Sequence, residues 1–427
     1  MLGKEQIKQI VVDQREAILN KEAGIERTIL ASIGKKIKLP HVIVISGLRR
    51  VGKSTLLRQI MQTYYGDKDF YYINFEDERL FNFNARNFNL LYEALVELYG
   101  ERKTFFIDEI QNVSNFESFV RRFYDIGFKF FVTGSNAKLL SREIGSRLTG
   151  RHVELVVNPF SFYEYLKFQN IQFEKQMLYK TEARAKLKNL FEKYLTNGGM
   201  PEFLKYKDPE ILSRIYEDII IKDIAVRYKI ENLYEMRELY QYIITNFANK
   251  ISFHSLKKIV GLGSITTVKK YVLFLAETFF ISIVHKFDFS LKKQLVNVKK
   301  FYVADNGFIP RISTKITRDK GWLLENYVFN VLKRTGNVFY YSGQNECDFI
   351  VQENKKITQA IQVTSELADS NRQREINGLL DAMKYFKLDS GLILAYDQEE
   401  ELTIERHKIT VKPVWKWALQ AYQAIGS

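Results

Sequence analysis

The chain has almost no cysteine, the residue on which domains held together by disulfides or by cysteine-bound metal depend. Its 427 residues include a single cysteine, Cys347, so an internal disulfide is impossible and no cysteine cluster is present to hold zinc or iron–sulfur. Only 6 prolines and 22 glycines occur, and no repeat of fixed period is present, so long disordered linkers are not expected. These absences predict a folded protein of a reducing compartment, and we expect it in the cytoplasm.

Long apolar runs are also missing. A membrane-spanning helix needs about 18 or more nearly unbroken apolar residues, and the best candidate, 271–284, is shorter and is interrupted by Glu277, Thr278 and Ser282. Charged residues are spread through positions 1–16, which is not typical of a secretory signal. We therefore expect a soluble protein with no membrane partner.

The composition indicates several cores and a polyanionic partner. With 46% hydrophobic residues the chain can bury sizeable cores, and its length predicts three compact units. Lys and Arg total 64 against 50 Asp and Glu, a net charge of +14. Residues 251–300 hold nine lysines against Glu277 and Asp288, or +7, so a nucleic-acid contact is expected in the middle of the chain.

A phosphate-binding loop is the most specific motif. Residues 41–46 (HVIVIS) read as a buried strand, 47–54 (GLRRVGKS) fit G-x-x-x-x-G-K-[ST], and TLLRQIM has helical spacing. Glycines let backbone N–H groups wrap phosphates, Lys53 supplies a cation, and Ser54 is placed to ligate Mg²⁺. The predicted ATP-binding residues are Gly47, Leu48, Arg49, Arg50, Val51, Gly52, Lys53, Ser54 and Thr55.

A second strand, 70–75, and a helix, 88–98, lead to the apolar strand 104–107, which is followed by Asp108 and Glu109. Asp108 is placed to hold Mg²⁺ as a Walker B aspartate, and Glu109 to orient and deprotonate the attacking water. The extra strand between the motifs favours the ATPase branch that carries a catalytic glutamate.

Polar and basic residues follow the next strand, 129–133. Ser135 and Asn136 are candidate sensors of the γ-phosphate, although a polar turn after a core strand looks the same. Arg147 and Arg151, in a segment that also holds Arg142, are candidates for an arginine finger in cis or in trans. Arginines on a solvated helix face are the alternative.

Together with later stretches, these motifs resemble a family of archaeal and bacterial AAA-superfamily ATPases. The matching stretches are GLRRVGKST, FFIDEIQN, VTGSNAKLL, LTGR with NPFSFYEYL, NGGMPEF, IIIKDIAVRY, FYVADNGF, residues 322–381 and ITVKPVWKWAL. The resemblance implies an α/β fold with four segments: a parallel-sheet P-loop ATPase domain over 1–158, a helical lid over 159–230, a winged helix over 231–305, and a restriction-endonuclease-like domain over 306–427.

The middle of the chain reads as helices. Ser161 and Glu164 have the spacing of a helix capping box, and the turn 198–201 (GGMP) ends a helix over 187–195. Further helices are expected over 214–228 and 233–248.

Next, a helix over 252–260, the turn 261–263 and a second helix from Ser264 form a helix-turn-helix, followed by wing strands over 280–287 and 295–303. A solvated packing module is the alternative to double-stranded DNA binding. The candidate DNA contacts are Thr266, Thr267, Lys269, Lys270, Lys292 and Lys293.

The last third has the layout of a restriction-type nuclease core with altered chemistry. Glu325 lies on a predicted helix, Asp348 begins one strand, and Gln362 and Thr364 lie on the next. The resemblance implies glutamate where Gln362 stands and lysine where Thr364 stands, so the site lacks one carboxylate and its cation. A degenerate domain is favoured over a metal-dependent nuclease; Arg374 and Glu375 could partly compensate.

The sequence thus predicts an Mg²⁺-dependent ATPase that couples ATP hydrolysis to a conformational change and associates with DNA, with a homo-oligomer as a candidate assembly. Two alternatives stay open: a nucleotide-dependent switch that recruits a protein, and an ATP-regulated nuclease.

Overall fold

The computed structural model describes residues 2–66, 69–134, 150–315 and 320–426. The chain divides into two compact units, the first covering it to Asn158 and the second covering most of it from Pro159 onward.

The first unit is a parallel sheet covered by helices. Its strands lie in the order β2-β3-β4-β1-β5 and all pair in parallel. The boundaries of β1 to β4 lie within one residue of the predicted ones, because apolar runs ended by polar or glycine residues mark buried parallel strands. The strand β5 was not predicted from the sequence. The elements are α1 Lys4–Asn20, α2 Ile29–Ile37, β1 Val42–Gly47, α3 Lys53–Ile60, β2 Tyr71–Asn74, α4 Phe88–Tyr99, β3 Thr104–Asp108, α5 Phe116–Asp125, β4 Lys129–Gly134 and β5 His152–Val157.

Aromatic side chains fill the core on one side of this sheet. Phe88 stacks on Phe119 with ring centroids 4.2 Å apart, and Phe105 stacks on Phe130 at 5.2 Å. The N-terminal helix α1 buries its apolar side chains in the same cluster. The helix α1 was not predicted from the sequence; its buried face includes the polar Gln14 between Val11 and Ile18.

The second unit begins with helices. Ser161 caps the first of them by accepting a hydrogen bond from the Glu164 backbone N–H at 3.1 Å, and the Glu164 carboxylate accepts one from the Ser161 N–H at 2.8 Å, which confirms the predicted capping box. The helix α9, Glu210–Asp218, continues through a π-helical turn, Ile219–Ala225. The helices are α6 Phe162–Phe168, α7 Thr181–Asn197, α8 Pro201–Tyr206, α9 Glu210–Asp218, α10 Val226–Tyr228 and α11 Leu233–Thr245.

A helix-turn-helix and a three-stranded antiparallel sheet follow. The helices α12 Phe253–Val260 and α13 Ile265–Glu277 flank a glycine turn, and β6 Lys250–Ile251, β7 Ile281–His285 and β8 Lys299–Val303 pair in the order β6-β8-β7. One prediction is wrong in detail. The segment expected to start the second wing strand is instead a short helix, α14 Leu291–Val296, because the Lys299 ammonium donates to the carbonyls of Gln294 and Leu295 at 3.0 Å each and so caps its end.

The unit ends in a mixed six-stranded sheet. Its strands lie in the order β13-β14-β12-β11-β10-β9, of which β11, β12 and β14 run parallel. The elements are α15 Ile309–Ile312, α16 Lys320–Leu332, β9 Asn337–Ser342, β10 Glu346–Glu353, β11 Lys356–Val363, α17 Asp369–Phe386, β12 Ser390–Ala395, β13 Glu400–Ile404, β14 His407–Pro413 and α18 Val414–Gly426.

Three compact units were expected, and the structure has two, because hydrogen bonds join the segments after residue 158. The Phe287 N–H, just after β7, donates to the Tyr340 carbonyl in β9 at 2.8 Å. The Asp305 carboxylate, just after β8, accepts from the N–H groups of Gly199 at 2.6 Å and Gly307 at 2.9 Å.

Among the described residues, no single helix has the length and apolar composition to cross a membrane. The pair α12 and α13 meets that test only when taken together, and it is bent by 101°.

The Gly-Gly turn after α7 fits closely against its neighbours. Gly198 has φ 75° and ψ −168°, a backbone conformation that glycine almost alone adopts. A Cβ there would lie 1.7 Å from Asp305 Oδ1, and one at Gly199 would lie 2.2 Å from the Phe160 carbonyl oxygen. The predicted turn therefore packs three separate stretches of the second unit.

Replacing Gly198 by alanine should destabilise the second unit by displacing Asp305. Gly100 is the matched control, since it ends α4 with φ 72° and ψ −179° and has nothing within 4 Å of an added Cβ. Both substitutions carry the backbone cost, but Gly198→Ala should cost at least ~2 kcal/mol more, because a buried carboxylate loses its donors. Calorimetric unfolding measures the difference. Equal losses of unfolding free energy in the two variants would contradict the proposed packing of Gly198 against Asp305.

Candidate functional site

The P-loop lies at the carboxyl end of β1, where Gly47 and Gly52 allow the chain to turn. Gly47 has φ 144°, and a Cβ on it would lie 2.3 Å from the Val157 carbonyl oxygen of β5. Gly52 has φ 97° and immediately precedes α3. The loop therefore leads into a helix N-terminus, whose free N–H groups and positive dipole end suit a phosphate.

The two motif side chains at the start of α3 face the loop and the sheet. The Lys53 ammonium is buried and donates to the carbonyls of Gly47 at 3.2 Å and Leu48 at 3.3 Å, so the loop itself holds the cation in place. The Ser54 hydroxyl hydrogen-bonds to the Asp108 carboxylate. The predicted Walker A and Walker B residues are therefore in direct contact.

The other P-loop residues have different surroundings. Leu48 and Val51 are buried, Arg50 is exposed with φ 59°, and Thr55 is half-buried. The Arg49 guanidinium lies 3.9 Å from the Glu76 carboxylate.

Asp108 is the last residue of β3, and Glu109 follows it. The strand β4 lies between β3 and the P-loop strand β1. Asp108 is 2% exposed and accepts a hydrogen bond from the Thr133 hydroxyl of β4. The same hydroxyl accepts from the Glu109 backbone N–H at 2.9 Å. Glu109 is half-buried with φ 51° and ψ 46°, and its carboxylate accepts from the Gln111 side-chain amide.

Burial and the neighbouring charge of Glu109 raise the pKa of Asp108, and hydrogen bonds from Ser54 and Thr133 with the charge of Lys53 oppose that rise. The Ser54 hydroxyl and the Asp108 carboxylate offer adjacent hard oxygen atoms, which is the donor chemistry that Mg²⁺ prefers. These two residues therefore fit the predicted Mg²⁺ site.

Two residues of this site were missed from the sequence. Thr133 ends an ordinary apolar strand, and only the structure shows that it joins Asp108 to Glu109. Arg27 is 4% exposed and donates to the Val51 carbonyl at 3.0 Å and to the Asn158 carbonyl. It holds the P-loop from outside, and no motif spacing identifies it.

The sensor and finger predictions are only partly placed. Ser135, Asn136, Arg142 and Arg147 lie outside the described residues. Arg151 directly precedes β5, whose His152 pairs with Val42 while its Val157 pairs with Gly47. It therefore lies at the amino end of the strands, whereas the P-loop lies at their carboxyl end. There it pairs with Asp125 at 2.5 Å. This placement is wrong for a finger acting in cis.

The basic residues of the helix-turn-helix face outward as predicted. Val268, Val272 and Leu275 are fully buried on α13. The candidate contacts that are exposed are Thr266, Lys269, Lys270, Lys292 and Lys293, with Thr267 half-buried. Lys292 and Lys293 lie on α14 rather than at a hairpin tip.

The structure brings together the residues of the predicted nuclease core. Glu325 and Asp348 both accept hydrogen bonds from the buried ammonium of Lys300, at 3.0 and 3.2 Å. Gln362 contacts the Asp348 backbone N–H at 3.2 Å and donates to Glu375 at 2.6 Å.

Thr364 instead bonds to the Glu366 carbonyl at 2.8 Å. Cys347 is fully buried. In the part of the chain that the structure describes, no group of three or more His, Cys, Asp or Glu is arranged to hold a metal ion.

Two family models match this chain, one over residues 40–166 and the other over residues 188–320. A model described as an AAA domain matches residues 40–166, which places the P-loop, Asp108 and Glu109 in an AAA-type P-loop domain. A second model, described as a domain of unknown function (DUF8612), matches residues 188–320.

Similar proteins come from an archaeon and a bacterium. "Uncharacterized protein MJ1544" of Methanocaldococcus jannaschii is 36% identical over 436 residues, covering 96% of this chain and 94% of its own length. An uncharacterized protein of Haemophilus influenzae is 28% identical over 351 residues, covering 78% of this chain and 84% of its own.

Among solved structures, AMPPCP-bound DnaA from Aquifex aeolicus matches with 14% identity and TM-score 0.23 over 58% of this chain and 86% of its own. The RuvB Holliday junction branch migration motor of Thermotoga maritima matches with 15% identity and TM-score 0.23 over 66% and 89%.

Replacing Thr133 by valine should weaken Mg²⁺-dependent nucleotide binding about tenfold, since one hydrogen bond to a charged group is worth roughly 1.5–3 kcal/mol. Loss of the hydroxyl should also raise the pKa of Asp108 further. The defect should therefore be larger at pH 6 than at pH 8, because a protonated carboxyl holds Mg²⁺ poorly. Calorimetric titration with Mg²⁺–AMPPCP measures both effects. Thr133→Ser keeps the hydroxyl and should bind normally; normal binding by the valine variant at both pH values would disprove the role.

Proposed function

Since the chain belongs to the same family as MJ1544 of Methanocaldococcus jannaschii and carries an AAA domain, we propose that it is an Mg²⁺-dependent ATPase. The observation that carries this proposal is that the carboxyl ends of β1, β3 and β4 meet the start of α3. There the Lys53 ammonium donates to loop carbonyls, Ser54 contacts Asp108, and Thr133 joins Asp108 to Glu109.

Each group has a distinct task in this proposal. The N–H groups of the loop and of the start of α3 bind the phosphates, and Lys53 turns from loop carbonyls toward the β- and γ-phosphates. Ser54 and Asp108 would hold Mg²⁺, whose chemistry when bound is to neutralise charge on the phosphate oxygens. Thr133 fixes the Asp108 carboxylate so that its oxygens stay directed at Ser54.

Glu109 is the proposed general base. Its left-handed backbone turns the chain away from β3 just after Asp108, while Thr133 holds its N–H and Gln111 holds its carboxylate. A carboxylate in this place accepts the proton of the attacking water. Ser135 and Asn136 as sensors, Arg147 as a finger in cis or in trans, and Arg151 as a finger donated in trans by a second copy remain parts of the proposal. ATP binding and hydrolysis would drive a conformational change of the lid.

Replacing Glu109 by glutamine should lower kcat for ATP by a factor of about 10²–10⁴, because general-base catalysis contributes in that range. ATP affinity should change little, since the amide is isosteric and the P-loop is untouched. Steady-state turnover and nucleotide titration measure the two quantities. Glu101→Gln alters an exposed glutamate just before β3 and is the control; undiminished turnover in Glu109→Gln would refute the base.

We further propose that the second unit binds double-stranded DNA through α13 and α14. The exposed lysines belong to the segment that carries +7 of the net charge, and α13 follows a glycine turn as a recognition helix does. The lysines of α14 would contact phosphate. In this reading, the helix-turn-helix with β7 and β8 acts as a winged helix.

Replacing Lys269, Lys270, Lys292 and Lys293 by alanine should weaken duplex binding and reduce its dependence on salt. Each lost phosphate contact lowers the slope of log K against log salt by about 0.9, so loss of all four lowers it by about 3.6. Fluorescence anisotropy from low to physiological salt measures this slope.

Alanine at Lys205, Lys207, Lys222 and Lys229, four exposed lysines of the same unit, matches the charge change and should leave the slope unchanged. An unchanged slope in the first variant would overturn the DNA proposal. ATP turnover that also ignores DNA would then favour the protein-recruiting switch.

A further inference from the structure

A buried ammonium lies at the centre of the carboxylate cluster in the second unit. Lys300, on the central strand β8 of the three-stranded sheet, is 3% exposed. Its Nζ lies 3.0 Å from Glu325 Oε1, 2.9 Å from Glu346 Oε1 and 3.2 Å from Asp348 Oδ1. An ammonium has three N–H donors, so three carboxylates account for all of them.

Each of the three carboxylates has a further partner from the chain. Tyr302 donates to Glu325 Oε1 at 2.7 Å, and the Val363 N–H donates to Asp348 Oδ2 at 3.0 Å. The second oxygen of Glu346 pairs with Lys250. Each carboxylate of the cluster thus has two partners, which offsets the desolvation cost of burying charge.

The amide at position 362 is turned the wrong way for a metal. Its oxygen accepts from the Asp348 N–H at 3.2 Å, and its NH₂ group donates to Glu375 Oε2 at 2.6 Å. Glu375 in turn accepts from Arg374 at 3.1 Å. A divalent ion of a restriction-type nuclease needs oxygen atoms directed at one point, and here the carboxylates are directed at an ammonium. The residues present do not fit that metal.

The charges around Lys300 also favour its protonated form. Burial lowers the pKa of Lys300, but the charges of Glu325, Asp348 and Glu346 outweigh burial and hold that pKa well above its ordinary value. The ammonium is therefore charged across the physiological range.

We propose that Lys300 is the resident cation of this cluster and takes the place that a divalent ion occupies in a nuclease. The second unit then binds no catalytic metal at Glu325 and Asp348. The cluster instead acts as an electrostatic joint that fixes β8 to α16 and β10. This inference does not depend on the proposed ATPase.

Replacing Lys300 by methionine should open the cluster to a metal ion, because the buried Glu325 and Asp348 and the half-buried Glu346 then lose the cation that they share. We expect 1 mM Mn²⁺ to raise the melting temperature of Lys300→Met by about 3 °C or more beyond its effect on the wild type. Adding Asp348→Asn to that variant should abolish the gain. All measurements use the full chain without nucleotide, so Mn²⁺ binding near Ser54 contributes equally to every variant.

Lys299→Met is the matched control. Lys299 is equally buried, at 2% exposed, but its ammonium bonds to backbone carbonyls rather than to carboxylates. Its loss should destabilise the protein without creating a response to Mn²⁺. A Lys300→Met variant that folds and shows no gain would overturn the proposal.

The wild type provides a second test that does not require any variant at Lys300 to fold. It should show no Mn²⁺-dependent or Mg²⁺-dependent cutting of linear or supercoiled DNA. Cutting that is lost in Asp348→Asn would overturn the proposal and would make Lys300 the lysine of a working nuclease. Mn²⁺ stabilisation of the wild type that is lost in Asp348→Asn would overturn it as well.

Discussion

Ionised carboxylates are costly to bury, and the chain meets this constraint by directing hydrogen-bond donors at three aspartates. Asp108 accepts from hydroxyls, Asp305 from the backbone N–H groups of two glycines, and Asp348 from an ammonium and a backbone N–H. Burial raises the pKa of Asp305 to about 6 despite its two N–H donors. Each donor set fixes a different part of the molecule: a nucleotide site, a turn between helices, and a joint between two sheets.

The turn shows how such a constraint organises distant sequence. Gly198, Gly199 and Gly307 each lie where a Cβ would meet Asp305, Phe160 or the Asn197 carbonyl. Asn306 extends the network by donating to the carbonyls of Leu195 at 2.8 Å and Leu323 at 3.0 Å. The stretches NGG and ADNGF therefore pack together with Phe160, which accounts for their small and amide-bearing residues.

Much of the first unit could be predicted because its signals are local. An apolar β-branched run, a glycine loop and a helix specify the P-loop through neighbouring residues alone. Thr133 and Lys300 could not be predicted in this way, since their partners are distant in sequence; Lys300 is 25 residues from Glu325 and 48 from Asp348. Nothing in a block of nine lysines marks Lys299 and Lys300 as the two whose side chains are buried. The start of the second wing strand was predicted wrongly for a related reason. The Lys299 ammonium caps α14 only once the chain is folded.

The left-handed backbone at Glu109 has a consequence for engineering. A residue with a Cβ pays roughly 1–2 kcal/mol to adopt this conformation, whereas glycine adopts it freely. Directed selection for thermal resistance alone would therefore favour glycine at position 109 and discard the carboxylate. At this strand end, folding and chemistry select opposite residues, and a screen must reward both to retain the glutamate.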